Sequence, residues 1–354
     1  MISVRTHIIA FIAAPLLFCS CEKSEPTSKV STEELTRLVD WRGDGKDIDA
    51  EMETFYRDIR LRYNDRQFDE LEIIAQKIRD EKMKFSNSEW KIEHFYITFS
   101  CRKDEPEDMW QLHDQIHKDW ISKFPDSVTA KIAHARFMTE YAWHARGDDY
   151  SEKVTEKGYA LFNERLTIAK SILDGCAEQR TKCPMWSLTR MKVALGLQEK
   201  PQEFQKIFRQ AKADNPSFFP YDVLRAYYLL PRWYGAKGEW EKFAFDEIFL
   251  EDGGGTVTYA KVLMAQKRFY GDLFKETDAD WEKAKDGFGK ILNTDPGSRS
   301  ILNVYCMMAC MAGDGTTAQM LFTKIGDTPV PSVWRVGKIN IFEDAKQWAA
   351  TSQN

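Results

Sequence analysis

Two stretches of this chain, 279–292 and 313–326, repeat one residue pattern at an offset of 34 positions. Each has an acidic residue in its second position, followed by a small residue, a large apolar residue one helical turn later and an isoleucine towards the end. The matching pairs are Asp280 and Asp314, Ala284 and Ala318, Phe288 and Phe322, Lys290 and Lys324, and Ile291 and Ile325. A period of 34 residues is typical of helical units that stack on one another. This repeat limits the fold more narrowly than any other feature of the sequence.

The repeated pattern resembles the second helix of the tetratricopeptide repeat (TPR). That helix has a small residue where two helices cross and a proline at its end. Pro296 follows the first stretch in the required place. An earlier stretch keeps Phe208, Ala211 and Pro216, but Phe204 stands where the small residue belongs. Most helix pairs lack the Trp–Leu–Gly–Tyr pattern of the first helix, so we interpret the repeats as degenerate.

We therefore predict an all-α fold, an antiparallel helix-pair (TPR-like) α-solenoid over residues 31–350, with repeats clearest at 279–326. The alternative is a helical bundle without repeat order. Helical periodicity supports either arrangement, and alternation typical of strands is scarce. The predicted helices span 47–63, 66–84, 88–101, 106–123, 127–145, 150–175, 184–198, 201–214, 220–230, 237–250, 256–271, 278–293, 298–312 and 315–325.

The N-terminus resembles the signal sequence of a bacterial lipoprotein. An apolar run extends from Ile8 to Phe18, which is too short to cross a hydrocarbon core of about 30 Å as a helix. A small residue, Ser20, precedes Cys21. We predict a signal peptide over 1–20, a lipidated Cys21 and a polar tether over 21–30. A plain cleaved signal and an uncleaved anchor are the alternatives. The predicted location is outside the cytoplasm, on a membrane, facing the periplasm or the cell surface.

The charge of the chain gives no indication of nucleic-acid binding. Lys and Arg total 50 against 55 Asp and Glu, for a formal net charge of −5. Nucleic-acid-binding domains usually carry a basic surface. Arg57, Arg60, Arg62 and Arg66 form a local basic cluster, but aspartates interleave with them. We interpret this cluster as surface ion pairs and predict no nucleic-acid partner.

Two of the cysteines are spaced suitably for a disulfide in an exported protein. Cys176 and Cys183 lie on either side of a predicted turn between helices. They are the best candidates for a bridge, although the sequence does not decide whether they pair. Cys306 and Cys310 lie on one helix face, and we expect them to pack as small apolar residues.

The chain shows few patterns that indicate catalysis or metal binding. His113 and His117 lie on one helix face, and His134 on the next helix is a possible third zinc ligand. Asp114 stands where a metalloprotease has its glutamate. Neither a nucleophile elbow nor a phosphate-binding loop is present. We therefore predict no catalytic residue, no metal and no cofactor, and the sequence favours a protein without enzymatic activity.

Aromatic residues next to arginines are the strongest candidates for an interface. Trp143 with Arg146, and Arg232 with Trp233 and Tyr234, place guanidinium groups beside flat rings near predicted helix ends. Such groups frequently anchor protein interfaces. They also occur as ordinary packing, in which arginine lies over an aromatic face. Both interpretations remain open from the sequence.

Three segments resemble a bacterial helical family known as domain of unknown function 4034. They are Trp143–Gly147, Leu230–Gly235 with the following Glu239-Trp240 and Phe243-Ala244, and Ile301–Asp314 with the residues up to Trp334. The resemblance covers roughly residues 50–340. It implies a TPR-like fold and frequently an exported or lipidated protein. It implies no activity, so no catalytic residues are carried over.

These patterns favour a protein-interaction scaffold in the cell envelope. A helical solenoid presents a long surface without requiring reactive residues. The lipid at Cys21 would attach it to the membrane, and its partner would be an unidentified envelope protein. An envelope enzyme acting on glycan or peptide is one alternative. A protein that binds a small ligand in an aromatic pocket is another.

Overall fold

The computed structural model describes residues 49–147, 154–250, 254–336 and 339–352. This part of the chain is helical almost throughout, which confirms the predicted all-α class. Its α-helices are α1 (Ala50–Asn64), α2 (Phe68–Asp80), α3 (Lys91–Ile97), α4 (Glu107–Lys123), α5 (Val128–Arg146), α6 (Glu156–Asp174), α7 (Pro184–Gly196), α8 (Pro201–Asp214), α9 (Pro220–Tyr228), α10 (Glu239–Glu247), α11 (Gly255–Gln266), α12 (Leu273–Glu276), α13 (Trp281–Thr294), α14 (Arg299–Met311), α15 (Gly315–Ile325) and α16 (Phe342–Thr351).

Short 3₁₀ helices lie at Ala177–Lys182 and Lys267–Phe269. Within the described ranges, strand structure is limited to an antiparallel pair, Arg335–Val336 with Ile339–Asn340, and to one bridge between Lys84 and Trp90. Among the same residues, no helix combines the length and apolar character needed to cross a membrane.

The two halves of the sequence repeat adopt the same local structure. Asp280 and Asp314 are the N-caps of α13 and α15, and each side chain accepts a hydrogen bond from the backbone N–H three residues on. Such a cap satisfies a donor that the first helical turn leaves unpaired. The small and large apolar residues of both stretches are buried, namely Ala284, Phe288 and Ile291 in α13 and Ala318, Phe322 and Ile325 in α15.

Helices that follow one another in the chain pack together, and α11 also packs closely against α13. Gly287 on α13 permits this close approach. A Cβ atom at that position would lie 2.0 Å from the carbonyl oxygen of Thr256. The start of α1 contacts the start of α14, since Asp49 accepts hydrogen bonds from both Ser298 and Ser300. The first described helix therefore contacts the C-terminal part of the chain.

The final helix, α16, was not predicted from the sequence. Its Phe342 packs against Trp334 and Phe322, with ring centroids 5.1 and 5.4 Å away. All three of these side chains are buried. Because α16 is only 10 residues long, tertiary packing supplies most of its stability. Because α16 is so short, the periodicity of its own sequence is only a weak indicator of a helix.

Cys176 and Cys183 do not form a disulfide in this structure. Both are free, and their thiols have different partners. Cys183 donates to the Tyr96 hydroxyl at 3.6 Å, whereas Cys176 donates to the Ile172 carbonyl at 3.4 Å. The acceptor of the Cys183 thiol therefore belongs to α3 and that of the Cys176 thiol to α6. Cys306 is fully buried and packs in the core, as predicted.

The interpretation of the basic cluster as surface ion pairs is wrong for one of its four arginines. Arg57, Arg62 and Arg66 form ion pairs at the surface. Arg60 is buried and donates to the carbonyl oxygens of Thr98 and Ser100, at 2.6 and 3.1 Å. These carbonyls lie at the C-terminal end of α3. A guanidinium group there satisfies carbonyl oxygens that have no partner within the helix, and its charge interacts favourably with the helix dipole.

Candidate functional site

A cleft of about 830 Å³ lies between helices of the described part of the chain. It is lined by α3, α5, α7, α9 and α11, which are alternate helices of the chain. Each helix contributes one face, because its lining residues recur at intervals of about one helical turn. The lining includes Val223, Leu224 and Tyr227 on α9 and Lys261, Met264 and Ala265 on α11. This volume is within the range of small-molecule sites.

Charged side chains are concentrated in this cleft. The cations are Lys103, Lys192, Lys261 and Arg268, and the carboxylates are Glu89, Glu93 and Glu140. Two of the carboxylates have cationic partners. Glu89 lies 2.7 Å from the ammonium of Lys261, and Glu140 lies 2.7 Å from the guanidinium of Arg136. Aromatic rings of Trp143, Phe219 and Tyr227 form part of the wall between them.

Lys261 connects the loop before α3 to α11 through buried contacts. Its ammonium donates to the carboxylate of Glu89 and, at 3.0 Å, to the carbonyl oxygen of Asn87. Burial alone would raise the pKa of Glu89. Interactions with Lys261 and His94 outweigh burial and lower that pKa to about 2. Glu89 is therefore a carboxylate throughout the physiological range.

For Lys192 and Glu93, in contrast to Glu89, the cleft shifts the pKa so that the charged form is disfavoured. Burial and the nearby Arg136 lower the pKa of Lys192 to about 8, and the carboxylates of Glu93 and Glu140 only partly oppose this shift. Burial likewise raises the pKa of Glu93. Neither group has an ion-pair partner within 4.0 Å among residues that the structure describes. A cleft that disfavours the charged form of unpaired groups is a common property of binding sites.

His94 lies beside Glu89 and is held from its other side by Tyr56. The Tyr56 hydroxyl is hydrogen-bonded to Nδ1 of His94. Nε2 of His94 lies 3.7 Å from Oε2 of Glu89. A carboxylate oxygen of Glu89, one of Glu93 and a ring nitrogen of His94 all lie within 4.8 Å of one another. The three side chains thus converge on one wall of the cleft.

Four of the five predicted interface residues lie together at this cleft. Trp143 and Trp233 meet edge to face, with ring centroids 6.1 Å apart. Arg146 lies over the ring of Trp143 and Arg232 over that of Trp233, at 5.4 and 5.9 Å. Only Trp143 lines the cavity itself. These contacts are packing contacts within the chain, and a role in binding a partner stays a prediction.

Tyr234, the fifth of these residues, is directed elsewhere. Its ring stacks on Tyr228, with centroids 4.6 Å apart, and it is partly exposed. Cys21, the predicted lipidation site, lies outside the described residues.

The histidines on α4 do not form the metal site that was weighed from the sequence. His113 is buried and hydrogen-bonded to Tyr63 and Arg60, at 3.1 and 3.2 Å. His134 is hydrogen-bonded to Asp114 at 2.8 Å. His117 lies between them in the core, and its ring nitrogens are buried without a hydrogen-bond partner among the described residues. Burial lowers the pKa values of His113 and His117, so both rings are neutral core residues.

The Glu89, Glu93 and His94 cluster was not found by sequence reasoning. Its signal is two glutamates four positions apart with a histidine directly after the second. That spacing matches none of the established metal-binding or catalytic patterns. Comparison of the chain with protein-family models, curated proteins and solved structures finds no match. The resemblance to domain of unknown function 4034 therefore stays a prediction.

Proposed function

We propose that this chain is an exported, membrane-tethered helical-repeat protein that binds a small organic anion in its central cleft. The observation that carries the proposal is Lys192. Its ammonium lines the cleft, has a pKa lowered to about 8 and has no ion-pair partner within 4.0 Å among the described residues. An anionic ligand would supply the missing partner and would favour the charged form of this lysine.

The TPR-like solenoid is part of the same proposal. Two observations support it: the matching caps and burial of α13 and α15, and the lining of the cleft by alternate helices. In a solenoid of helix pairs, one helix of each pair lines the concave surface. Binding surfaces of such proteins lie on that side, where the cleft of this chain would then be.

The tether is proposed from the N-terminal sequence alone. Lipid at Cys21 and the polar residues up to position 30 would hold the helical domain close to a membrane surface. A ligand captured there would be one that is present outside the cytoplasm. The tether also raises the local concentration of any membrane partner of the protein.

The lining of the cleft supports the proposal of an organic anion as ligand. Four cationic side chains and three carboxylates line the cleft. Glu89 is paired with Lys261, one of these four cations, and Glu140 is paired with Arg136. The guanidinium of Arg268 lies 5.7 Å from the ring centroid of Tyr227, so cationic and aromatic groups are adjacent. A carboxylate carrying an aromatic or aliphatic group fits both kinds of surface. Charge-assisted hydrogen bonds would orient it, and ring contacts would bury its apolar part.

Calorimetric titration with small carboxylates tests this proposal. Benzoate, succinate and N-acetylated amino acids are titrated into the full-length chain, purified in detergent and freed of metal ions by a chelating resin. We expect at least one of them to bind, and Lys192→Met to weaken that binding about tenfold or more. Lys157→Met, which alters an exposed lysine elsewhere, is the matched control. Equal binding by wild type and Lys192→Met would contradict the proposal.

An interaction scaffold remains the second candidate, favoured by one surface feature. Phe249 and Leu250, directly after α10, are 67% and 51% exposed. Phe245 meets Phe249 edge to face at 5.4 Å. Exposed apolar patches frequently mark protein contacts. In-cell crosslinking that recovers one envelope protein from the wild type, but not from Phe249→Ser, would support a scaffold.

A further inference from the structure

Two carboxylates and one imidazole meet on the wall of the cleft that is formed by α3 and by Glu89, two residues before this helix. A ligand atom from each of Glu89, Glu93 and His94 lies within 4.8 Å of the other two. All three residues are partly buried. Because Glu89 and Glu93 come from the same wall, they do not flank a ligand from opposite sides. Paired carboxylates of glycosidases require that opposed arrangement, so this cluster suggests a different chemistry.

The separation between two of these groups suits ligands of one metal ion. Nε2 of His94 and Oε2 of Glu89 are 3.7 Å apart, which is longer than a hydrogen bond. Two ligands about 2.1 Å from a tetrahedral ion are separated by roughly 3.4 Å. A small movement of either side chain would bring both atoms to that distance.

The surroundings of His94 fix the orientation of its ring. Its Nδ1 atom is hydrogen-bonded to the hydroxyl of Tyr56, and the ring of Phe85 packs edge to face against it at 5.4 Å. Nε2 is thereby directed at the carboxylate of Glu89. Histidine ligands of metal ions commonly have their second nitrogen held in this way, which fixes the tautomer.

Lys261 is compatible with an ion at this position. Its ammonium contacts Oε1 of Glu89, whereas the oxygen nearest His94 is Oε2. One carboxylate can therefore bind the lysine and an ion at the same time. The ammonium would nevertheless repel a cation, so the site is expected to bind less tightly than a site without it.

We propose that Glu89, Glu93 and His94 bind a divalent transition-metal ion of the zinc class. An imidazole nitrogen with two carboxylate oxygens suits Zn²⁺ better than Mg²⁺ or Ca²⁺, which prefer oxygen ligands. Three protein ligands would leave a position open towards the cleft. The site itself is independent of the proposed function. Only the ion's role in binding an anionic ligand rests on that function.

Equilibrium dialysis against Zn²⁺, with the bound metal measured by plasma mass spectrometry, tests the site directly. The full-length chain in detergent is used, with no carboxylate ligand present. We expect one equivalent of Zn²⁺ per chain, and no comparable binding of Mg²⁺. A chain that binds no Zn²⁺ at micromolar concentrations would overturn this proposal and leave carboxylate binding untouched.

Single substitutions assign the ligands. His94→Ala and Glu93→Gln are each expected to weaken Zn²⁺ binding at least tenfold, and Tyr56→Phe about tenfold through the orientation of His94. His144→Ala is the matched control, because His144 stacks on Trp110 outside the cluster. Circular dichroism establishes that each variant is folded. Glu93→Gln, which preserves the shape of the side chain, keeps the test valid if His94→Ala does not fold. Unchanged Zn²⁺ binding by Glu93→Gln would overturn the assignment.

Discussion

Lys261 and Glu89 form an ion pair at the cleft, with Nζ of the lysine 2.7 Å from Oε1 of the glutamate. They are 172 residues apart in the chain, so the pair connects the start of α3 to α11. The lysine side chain is 2% exposed and the glutamate side chain 20%. A pair this well buried contributes to holding the first and last helices of the cleft together.

Breaking this pair from one side should destabilise the fold. Lys261→Met leaves the carboxylate of Glu89 without its ammonium partner, and the expected loss is about 3–5 kcal/mol of unfolding free energy. The double variant Lys261→Met with Glu89→Gln should recover part of that loss, because it removes the unpaired charge. Urea denaturation measures both values. A double variant no more stable than Lys261→Met would contradict the account.

A second buried carboxylate should make stability depend on pH. Burial raises the pKa of Asp222 to about 7; Glu247 adds to this rise and Lys212 opposes it. Between about pH 4 and pH 7 the folded state therefore retains a proton that the unfolded state has lost. The unfolding free energy contributed by this group falls as the pH rises through that window.

Asp222→Asn tests this prediction through its difference from the wild type. As the pH rises from 4 to 7, the unfolding free energy of the variant should increase relative to that of the wild type, by on the order of 2 kcal/mol. Urea denaturation at several pH values measures the difference. Asp174→Asn alters an exposed aspartate and serves as the surface control. A difference for Asp222→Asn that does not change with pH would show that the prediction is wrong.

Two glycines on α13 should respond in opposite directions to substitution by alanine. At Gly287 a Cβ atom would lie 2.0 Å from the Thr256 carbonyl oxygen and 2.9 Å from the Ala260 Cβ. Gly287→Ala should therefore force α11 and α13 apart, at a cost of about 1–3 kcal/mol or more.

Gly289 lies on the same helix and is the matched control, since a Cβ atom there would have no neighbour within 4 Å. Gly289→Ala should stabilise the fold by about 0.5–1 kcal/mol through helix propensity alone. Thermal unfolding of both variants measures the two effects. Equal melting temperatures would contradict the close packing of α11 on α13.

The helical class, and the helices at the two stretches of the 34-residue pattern, were predictable because they depend on the spacing of residues close together in the sequence. Asp280 and Asp314 cap their helices, as an acidic residue before a helical pattern suggests.

The candidate site was not predictable from the sequence in the same way. Glu89 and Lys261 meet only after five helices have packed around the cleft, and no local pattern indicates a contact across 172 residues. Arg60 was misassigned for the same reason, since its carbonyl partners come from the end of α3.

The most direct test of the central claim is ligand protection of Lys192 from acetylation. With a pKa of about 8, its amine is more often uncharged near neutral pH than an ordinary lysine and should react faster with an N-hydroxysuccinimide ester. Mass spectrometry of the full-length chain follows Lys192 and the exposed Lys157 in the same sample. The account predicts that a bound small carboxylate slows acetylation of Lys192 severalfold and leaves Lys157 unchanged. If no member of the carboxylate series slows Lys192, or if both lysines slow equally, the cleft is not the anion site proposed for it.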